Sequence, residues 1–308
     1  MSSAGAAQGR PSDQAESRPR VVALGGGHGL AASLSAIRLY AGHVTAIVSV
    51  ADDGGSSGRL RQNYGVAPPG DLRKCLVALA AANSPWAAAF EHRFTGGELD
   101  GHALGNLVIA GLAVTTGDFA SALAEVSRLL GVEALVLPAT SEPVVLKACL
   151  GDRGDGSDRC VEGQVEVARS VGITQVSLVP ADAQPPAAAL TALAEADQVV
   201  IGPGSLFTSI LAVVAVPALR EALASVSAPK VFVCNLRSQQ AETTGFDVAA
   251  HVDALASHGL EIDVVLCHAG AMPKGEVRAK CVEWEVARGD GLAHDPLLLA
   301  PALHSLVG

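Results

Sequence analysis

The sequence predicts an α/β fold: a three-layer α/β/α, Rossmann-like arrangement around a mostly parallel sheet, with a β-rich segment in the middle. Three observations predict it. Short apolar runs at 21–24, 44–50, 230–236 and 262–267 suit strands buried on both faces. Stretches with apolar residues at helical spacing separate several of these runs. Four of the strands end in glycine-rich or polar loops, which a doubly wound sheet gathers at one edge.

The first strand, Val21 to Leu24, opens onto Gly25, Gly26, Gly27 and Gly29, with His28 among them. Glycine permits positive φ and lets a ligand approach the backbone. Leu30, Ala31, Leu34, Ile37 and Ala41 then recur at helical spacing. Strand, glycine loop and helix aim free N–H groups and the positive helix end at a phosphate. The literal dinucleotide fingerprint fits only as Gly27-x-Gly29-x-x-Ala32, and a plain tight turn is the competing reading. The second strand ends in Asp52 and Asp53, followed by a glycine-serine loop at 54–58 with Ser56 and Ser57, then Arg59 and Arg61. Aspartate can hold a metal or a ribose hydroxyl, and arginine suits phosphate.

A loop at 62–70 contains Pro68 and Pro69. Asp71 is expected to cap a helix whose stripe is Leu72, Cys75, Leu76 and Leu79. Arg73 and Lys74 in its first turn oppose the dipole, which points either to a nearby anion or to solvated charges. A short helix around 86–90 precedes a loop at 94–97. His102 and Asn106 stand at the mouth of a helix, 107–114, that is apolar nearly all round and therefore expected to be buried. They are candidate ligand contacts, with structural hydrogen bonding as the alternative. Asp118 should cap a helix over Phe119–Leu130.

Strands are expected at 134–137, 144–150, 160–168 and 173–179. Residues 151–158 form a turn-rich loop whose Arg-Gly-Asp triplet is assigned no function. A linker at 180–186 leads to a helix ending near Glu195. The opening pattern then returns: a strand at Gln198–Ile201, then Gly202, Pro203, Gly204 and Ser205 entering a helix, with Thr208 and Ser209 in its first turn. The phosphate reading applies again, against the same competing tight turn. The strand at 230–236 runs through Asn235 into a polar loop, 237–245, that carries Glu242. Asp247 starts a helix to His258. A strand ends at His268, another lies at 279–286, and a terminal helix covers 295–306.

Composition sets further bounds. The chain has 308 residues, 49% hydrophobic but only 3% aromatic, so its core is built from Ala, Val and Leu. A net charge of −10 argues against nucleic acid as a partner, since such binders are usually basic. The six cysteines show no C-x-x-C spacing, and most sit in core runs, as expected of thiols in a reducing cytoplasm. No apolar run reaches membrane-spanning length. Residues 1–20 lack a hydrophobic signal segment and read as a disordered leader; 21–308 read as one domain.

The segments GGGHGL (25–30), DDGGSSGRLR (52–61), PPGDLRKCLVALA (68–80), GHALGNLVIAGL (101–112), GPGSLFTSI (202–210) and CNLRSQQAETTGF (234–246) together resemble the YvcK family of gluconeogenesis factors. That family lies within the wider group named after CofD, the 2-phospho-L-lactate transferase of a deazaflavin coenzyme pathway. The resemblance spans roughly 20–300 and is closer to YvcK than to the transferases. It implies a cytoplasmic protein that binds a UDP-sugar such as UDP-N-acetylglucosamine and affects cell shape, cell-wall metabolism and growth on gluconeogenic carbon. It also implies a cell-wall regulatory protein as partner and a homo-oligomer. No cofactor is required on that reading.

The alternative is a magnesium-dependent transferase acting on a nucleoside-diphosphate conjugate, with Asp52 and Asp53 where the transferases hold their metal. A dehydrogenase is the weakest of the three readings, because the glycine-serine loop after Asp53 suits phosphate better than a ribose clamp. The ligand contacts expected from the motifs are Gly25, Gly26, Gly27, His28, Gly29, Asp52, Asp53, Ser56, Ser57, Arg59, His102, Asn106, Gly202, Gly204, Ser205, Asn235 and Glu242. Three departures stand out: Ala241 where the family usually has Gly, Thr244 where it has Asp, and Ala293 where Arg often precedes His294.

Overall fold

The computed structural model describes residues 18–151, 159–239 and 241–308. In chain order, β1 (Arg20–Gly25) leads into α1 (Gly27–Ile37), and β2 (His43–Val48) into α2 (Gly55–Tyr64) and α3 (Gly70–Leu79). Helices α4 (Pro85–Glu91), α5 (Leu104–Thr116) and α6 (Phe119–Leu130) precede β3 (Leu135–Pro138). The middle segment holds β4 (Val145–Leu150), β5 (Arg159–Glu162), α7 (Gln164–Ala168) and β6 (Ile173–Val179). Then come α8 (Ala187–Ala194), β7 (Gln198–Ile201), a π-helical turn (Leu206–Ile210) continuing as α9 (Leu211–Val214), and α10 (Pro217–Ser225). The chain closes with β8 (Lys230–Val233), α11 (Val248–Ser257), β9 (Val264–His268), β10 (Lys280–Trp284) and α12 (Pro296–His304).

Seven parallel strands form the main sheet in the order β10-β9-β8-β7-β1-β2-β3. Helices flank it, as the apolar runs required: every residue of β7 and β8 is buried. The chain winds from β1 outward to β3, then returns to the other side of β1 at β7. The switch point of the topology therefore lies between β1 and β7, where open α/β sheets bind ligands. The β-rich middle segment stands as a separate antiparallel sheet, β5-β4-β6.

Several expectations are corrected. The glycine-serine stretch after Asp53 is not a loop but the first turns of α2, which reaches Tyr64 and stops at Gly65 with φ +66°. Its weak apolar content hid it; packing of Ser56, Ser57, Gly58 and Leu60 against neighbours decides it. The strand expected over 160–168 ends at Glu162, because Gly163 (φ +97°) turns the chain into α7. Asp71 is not an N-cap: Pro69 holds that position, and Asp71 lies inside the first turn of α3. Helix α5 is not buried all round, since Val114 is 55% exposed. Two of the cysteines are not core thiols either. Cys149 and Cys160 face each other across β4 and β5 and form a disulfide, while Cys75, Cys234, Cys267 and Cys281 are free.

Asp118 and Asp247 cap α6 and α11 as the spacing predicted. Residues 1–17 of the expected leader and 152–158 of the turn-rich loop lie outside the described residues. No single helix among the described residues is long and apolar enough to cross a membrane.

Candidate functional site

The site is built from the β1 loop outward. Gly26 precedes α1 with no side-chain cap, and no acidic residue sits in that helix's first turn. The backbone amides of Gly27, His28 and Gly29 have no hydrogen-bond partner among the described residues, which leaves them free to meet an anion. The loop needs its glycines: Gly25 and Gly27 have φ of +143° and +65°, and Gly29 lies so close to the Pro203 carbonyl that a Cβ would overlap it. His28 projects toward solvent. Partial burial and then the Lys74 ammonium hold its ring below the ordinary imidazole range.

Two further helix starts converge on this loop. Gly54 precedes α2, again with no side-chain cap. The first residue of α3, Gly70, donates its amide to Ser57 Oγ at 3.1 Å. A Cβ on Gly26 would come within 2.5 Å of Asp71 Oδ2 and 3.2 Å of Ser209 Oγ, and one on Gly70 within 3.3 Å of Asp52 Oδ2. So Asp52 and Asp71 stand among the N-termini of α1, α2 and α3, whose dipoles favour negative charge. Lys74 pairs with Asp71 at 3.1 Å. Asp52 accepts from the Gly54 amide at 3.0 Å. Burial, reinforced by Asp71, holds its carboxyl above the ordinary carboxylate range.

The Asp52–Asp53 pair diverges. Asp53 Oδ1 accepts from the Val165 amide at 3.0 Å, and Oδ2 lies against Gly163, so this carboxylate caps α7 and ties the small sheet to the β2 loop. For magnesium the fitting donors are Asp52 and Asp71, with Asp53 turned away; one or two carboxylates beside a substrate phosphate is the usual magnesium arrangement. Among the described residues no group of three or more His, Cys, Asp and Glu side chains converges.

Ser56, His102 and Asn106 do come together. Ser56 Oγ lies 3.0 Å from His102 Nδ1 and accepts from Asn106 Nδ2 at 3.0 Å. Asn106 Oδ1 in turn accepts from Arg73 Nε at 3.0 Å, and Arg73 pairs with Glu91. All four of Ser56, Arg73, His102 and Asn106 are buried, so this chain of hydrogen bonds fixes α2, α3 and α5 relative to one another. It explains the cations that oppose the α3 dipole: Arg73 serves this network and Lys74 serves Asp71. Burial, then Arg59 and Arg93, push the His102 imidazole below its ordinary range. Arg59 donates to the Asp100 carbonyl at 2.6 Å and closes the outer rim.

The β7 loop is organised differently. Gly202 and Gly204 have φ of +70° and +142°. Asn235 brackets Gly204, accepting from its amide at 3.0 Å and donating to its carbonyl at 2.9 Å. The helix start behind Ser205 is partly filled. Glu242 Oε1 accepts from the amides of Phe207 and Thr208, both at 2.7 Å. Glu242 is 4% exposed, and burial pushes its carboxyl up despite those bonds. The preceding residue, Ala241, has φ +64°. Sequence reasoning missed Asp71 as a wall of the cleft and Glu242 as an internal cap. The first was within reach, since Pro69 marks the helix start two residues earlier. The second depends on residues thirty-four and thirty-five positions apart in the chain.

Comparison with known proteins places this architecture. The sequence model of the CofD family, described as 2-phospho-L-lactate transferase, matches residues 21–291. A relative from Mycobacterium leprae is 43% identical over 310 residues, covering 93% of this chain and 86% of its own. The gluconeogenesis factor of Bacillus subtilis is 40% identical over 276 residues, 88% of this chain and 84% of its own. A Bacillus halodurans crystal structure of a UPF0052 family member superposes with a TM-score of 0.85 at 34% identity, over 93% of this chain and 99% of that one. With its glycine loops at the β1–β7 switch point and relatives matched over most of their length, the chain belongs to the CofD family, on its gluconeogenesis-factor branch.

Proposed function

We propose that the protein binds a UDP-sugar of the UDP-N-acetylglucosamine type in the cleft between the β1 loop, Asp52 and Asp71. The observation that carries this reading is the convergence of three helix starts at the switch point, with the Gly27, His28 and Gly29 amides open. A diphosphate suits those amides, and Asp52 suits sugar or ribose hydroxyls. The similarity to gluconeogenesis factors supports a role in carbon and cell-wall metabolism, with effects on cell shape. In that role a cytoplasmic homo-oligomer passes the state of the cleft to a regulatory protein partner.

Binding, rather than turnover, is the expected activity. UDP-N-acetylglucosamine should raise the melting temperature and NAD should not, because ligands that bind only the native state stabilise it by mass action. In calorimetric titrations with and without EDTA, Asp52→Asn should weaken UDP-sugar binding by about 1–3 kcal/mol, the usual size of a lost charged hydrogen bond. Asp53→Asn should leave affinity unchanged, since its carboxylate serves α7. Stabilisation by NAD and not by any UDP-sugar would overturn the reading.

A second reading has one observation in its favour: Asp52 and Asp71 both stand among the three helix N-termini, carboxylates of the kind magnesium takes beside a phosphate. On that reading the protein is a CofD-type transferase and magnesium would screen the substrate's phosphates. Asp52 and Asp71 would hold the ion and the β1 loop would orient the diphosphate. Binding that collapses in EDTA would favour it.

A further inference from the structure

The sequence presents the two glycine loops as equivalent anion sites, yet at the β7 loop the amides of Gly204, Phe207 and Thr208 are already taken, the last two by a carboxylate. We infer that Glu242 is a built-in anion that makes the cleft selective for ligands with one charged end. It places the diphosphate at the β1 loop and requires the portion near the β7 loop to be uncharged. This rests on the UDP-sugar reading and adds the specificity of the same cleft.

The two loops are in contact: Gly29 lies against the Pro203 carbonyl, and a Cβ on Gly204 would sit 3.3 Å from the Gly26 carbonyl. A ligand seated on the β1 loop therefore reaches the β7 loop within its own length. There it meets amides already satisfied by a buried carboxylate: Phe207 and Thr208 donate to Glu242, and Gly204 donates to Asn235. A second anionic group would find only the Ser205 and Leu206 amides without a partner among the described residues, and there it would stand close to the buried Glu242 carboxylate, where like charges repel. Neutral hydroxyls meet neither penalty. Discrimination of this kind comes from a repulsive element as much as from attraction.

The prediction separates two sugars that differ only in a carboxylate. UDP-glucose and UDP-glucuronate are titrated into the wild-type protein and into Glu242→Gln, which keeps an acceptor for both amides and removes the charge. Wild type should bind UDP-glucose at least about tenfold more tightly than UDP-glucuronate, the order expected of one like-charge contact in a partly screened cleft. Glu242→Gln should bring the ratio to within about threefold, mainly by raising affinity for the carboxylated sugar. Equal affinities in wild type, or a ratio unchanged in the variant, overturn the inference; the wild-type ratio needs no variant to fold.

If neither uridine compound binds wild type, the UDP-sugar reading itself has failed. The charge effect is then read with inorganic pyrophosphate, which should bind Glu242→Gln about fivefold more tightly than wild type. No gain there overturns the role of Glu242 independently of the ligand.

Discussion

The β1 and β7 loops look alike on paper and behave differently in the fold. Each follows a buried strand, each is rich in glycine, and each enters a helix at the switch point of the sheet. The β1 loop keeps its amides open and faces Asp52, Asp71 and Lys74 across a cleft. In the β7 loop the amides of Gly204, Phe207 and Thr208 are taken by Asn235 and Glu242, both supplied by the segment after β8. A glycine loop is thus a capacity for binding anions, and whether it remains available depends on what else in the chain reaches it first.

The largest expected effect comes from prying the two loops apart. Gly29→Ala would drive a methyl group into the Pro203 carbonyl, and neither backbone segment can yield cheaply. It should destabilise the protein by about 1–3 kcal/mol, the usual cost of overpacking, and remove the melting-temperature rise caused by UDP-N-acetylglucosamine. Urea denaturation of the variant reads the first and a thermal-shift series the second. A variant of wild-type stability would mean that the loops move independently.

A smaller effect should sharpen the comparison from the other side. Ala241 holds φ +64° beside Glu242, a conformation that costs a non-glycine residue about 1–2 kcal/mol. Ala241→Gly should relieve this, offset in part by the greater freedom of glycine in the unfolded chain. The net gain should be at most about 1 kcal/mol, with binding at the β1 loop unaltered. A fall in melting temperature would show that the segment carrying Glu242 is not strained.

The smallest effect is pH-dependent and concerns what lies beneath the β7 loop. Phe207 packs edge-on against His258. His258 Nδ1 lies 2.7 Å from the Ala254 carbonyl, so that nitrogen carries the hydrogen, and Nε2 accepts from the Val176 amide at 3.0 Å. Burial, with Arg220 adding, holds the ring below its ordinary value of 6.5. The folded state therefore favours neutral His258, and the unfolded chain takes up the proton first as pH falls. Stability from this group is present above about 6.5 and is lost as pH drops toward the folded pKa. His258→Gln should flatten part of the melting-temperature slope between pH 7 and 5. An unchanged slope would assign it to other buried histidines such as His294, which burial lowers to about 4.

By itself the sequence determined the class of fold, the main-sheet strands, and the position of both glycine loops at strand ends. Those features depend on local chemistry: apolar runs, helical periods, and glycine where φ must be positive. It also determined the family, because the motifs are contiguous and ordered along the chain. Tertiary structure alone decided how those loops are used. Asp52 and Asp53 are neighbours in sequence, yet one stands with Asp71 among the helix N-termini and the other caps α7. Glu242 reads from the motif as one more ligand contact until β8 lies beside β7 and brings it to the Phe207 and Thr208 amides. Hydrogen-bond partners so distant in the chain leave no periodic trace, so packing had to settle how many amides each of two similar loops keeps open.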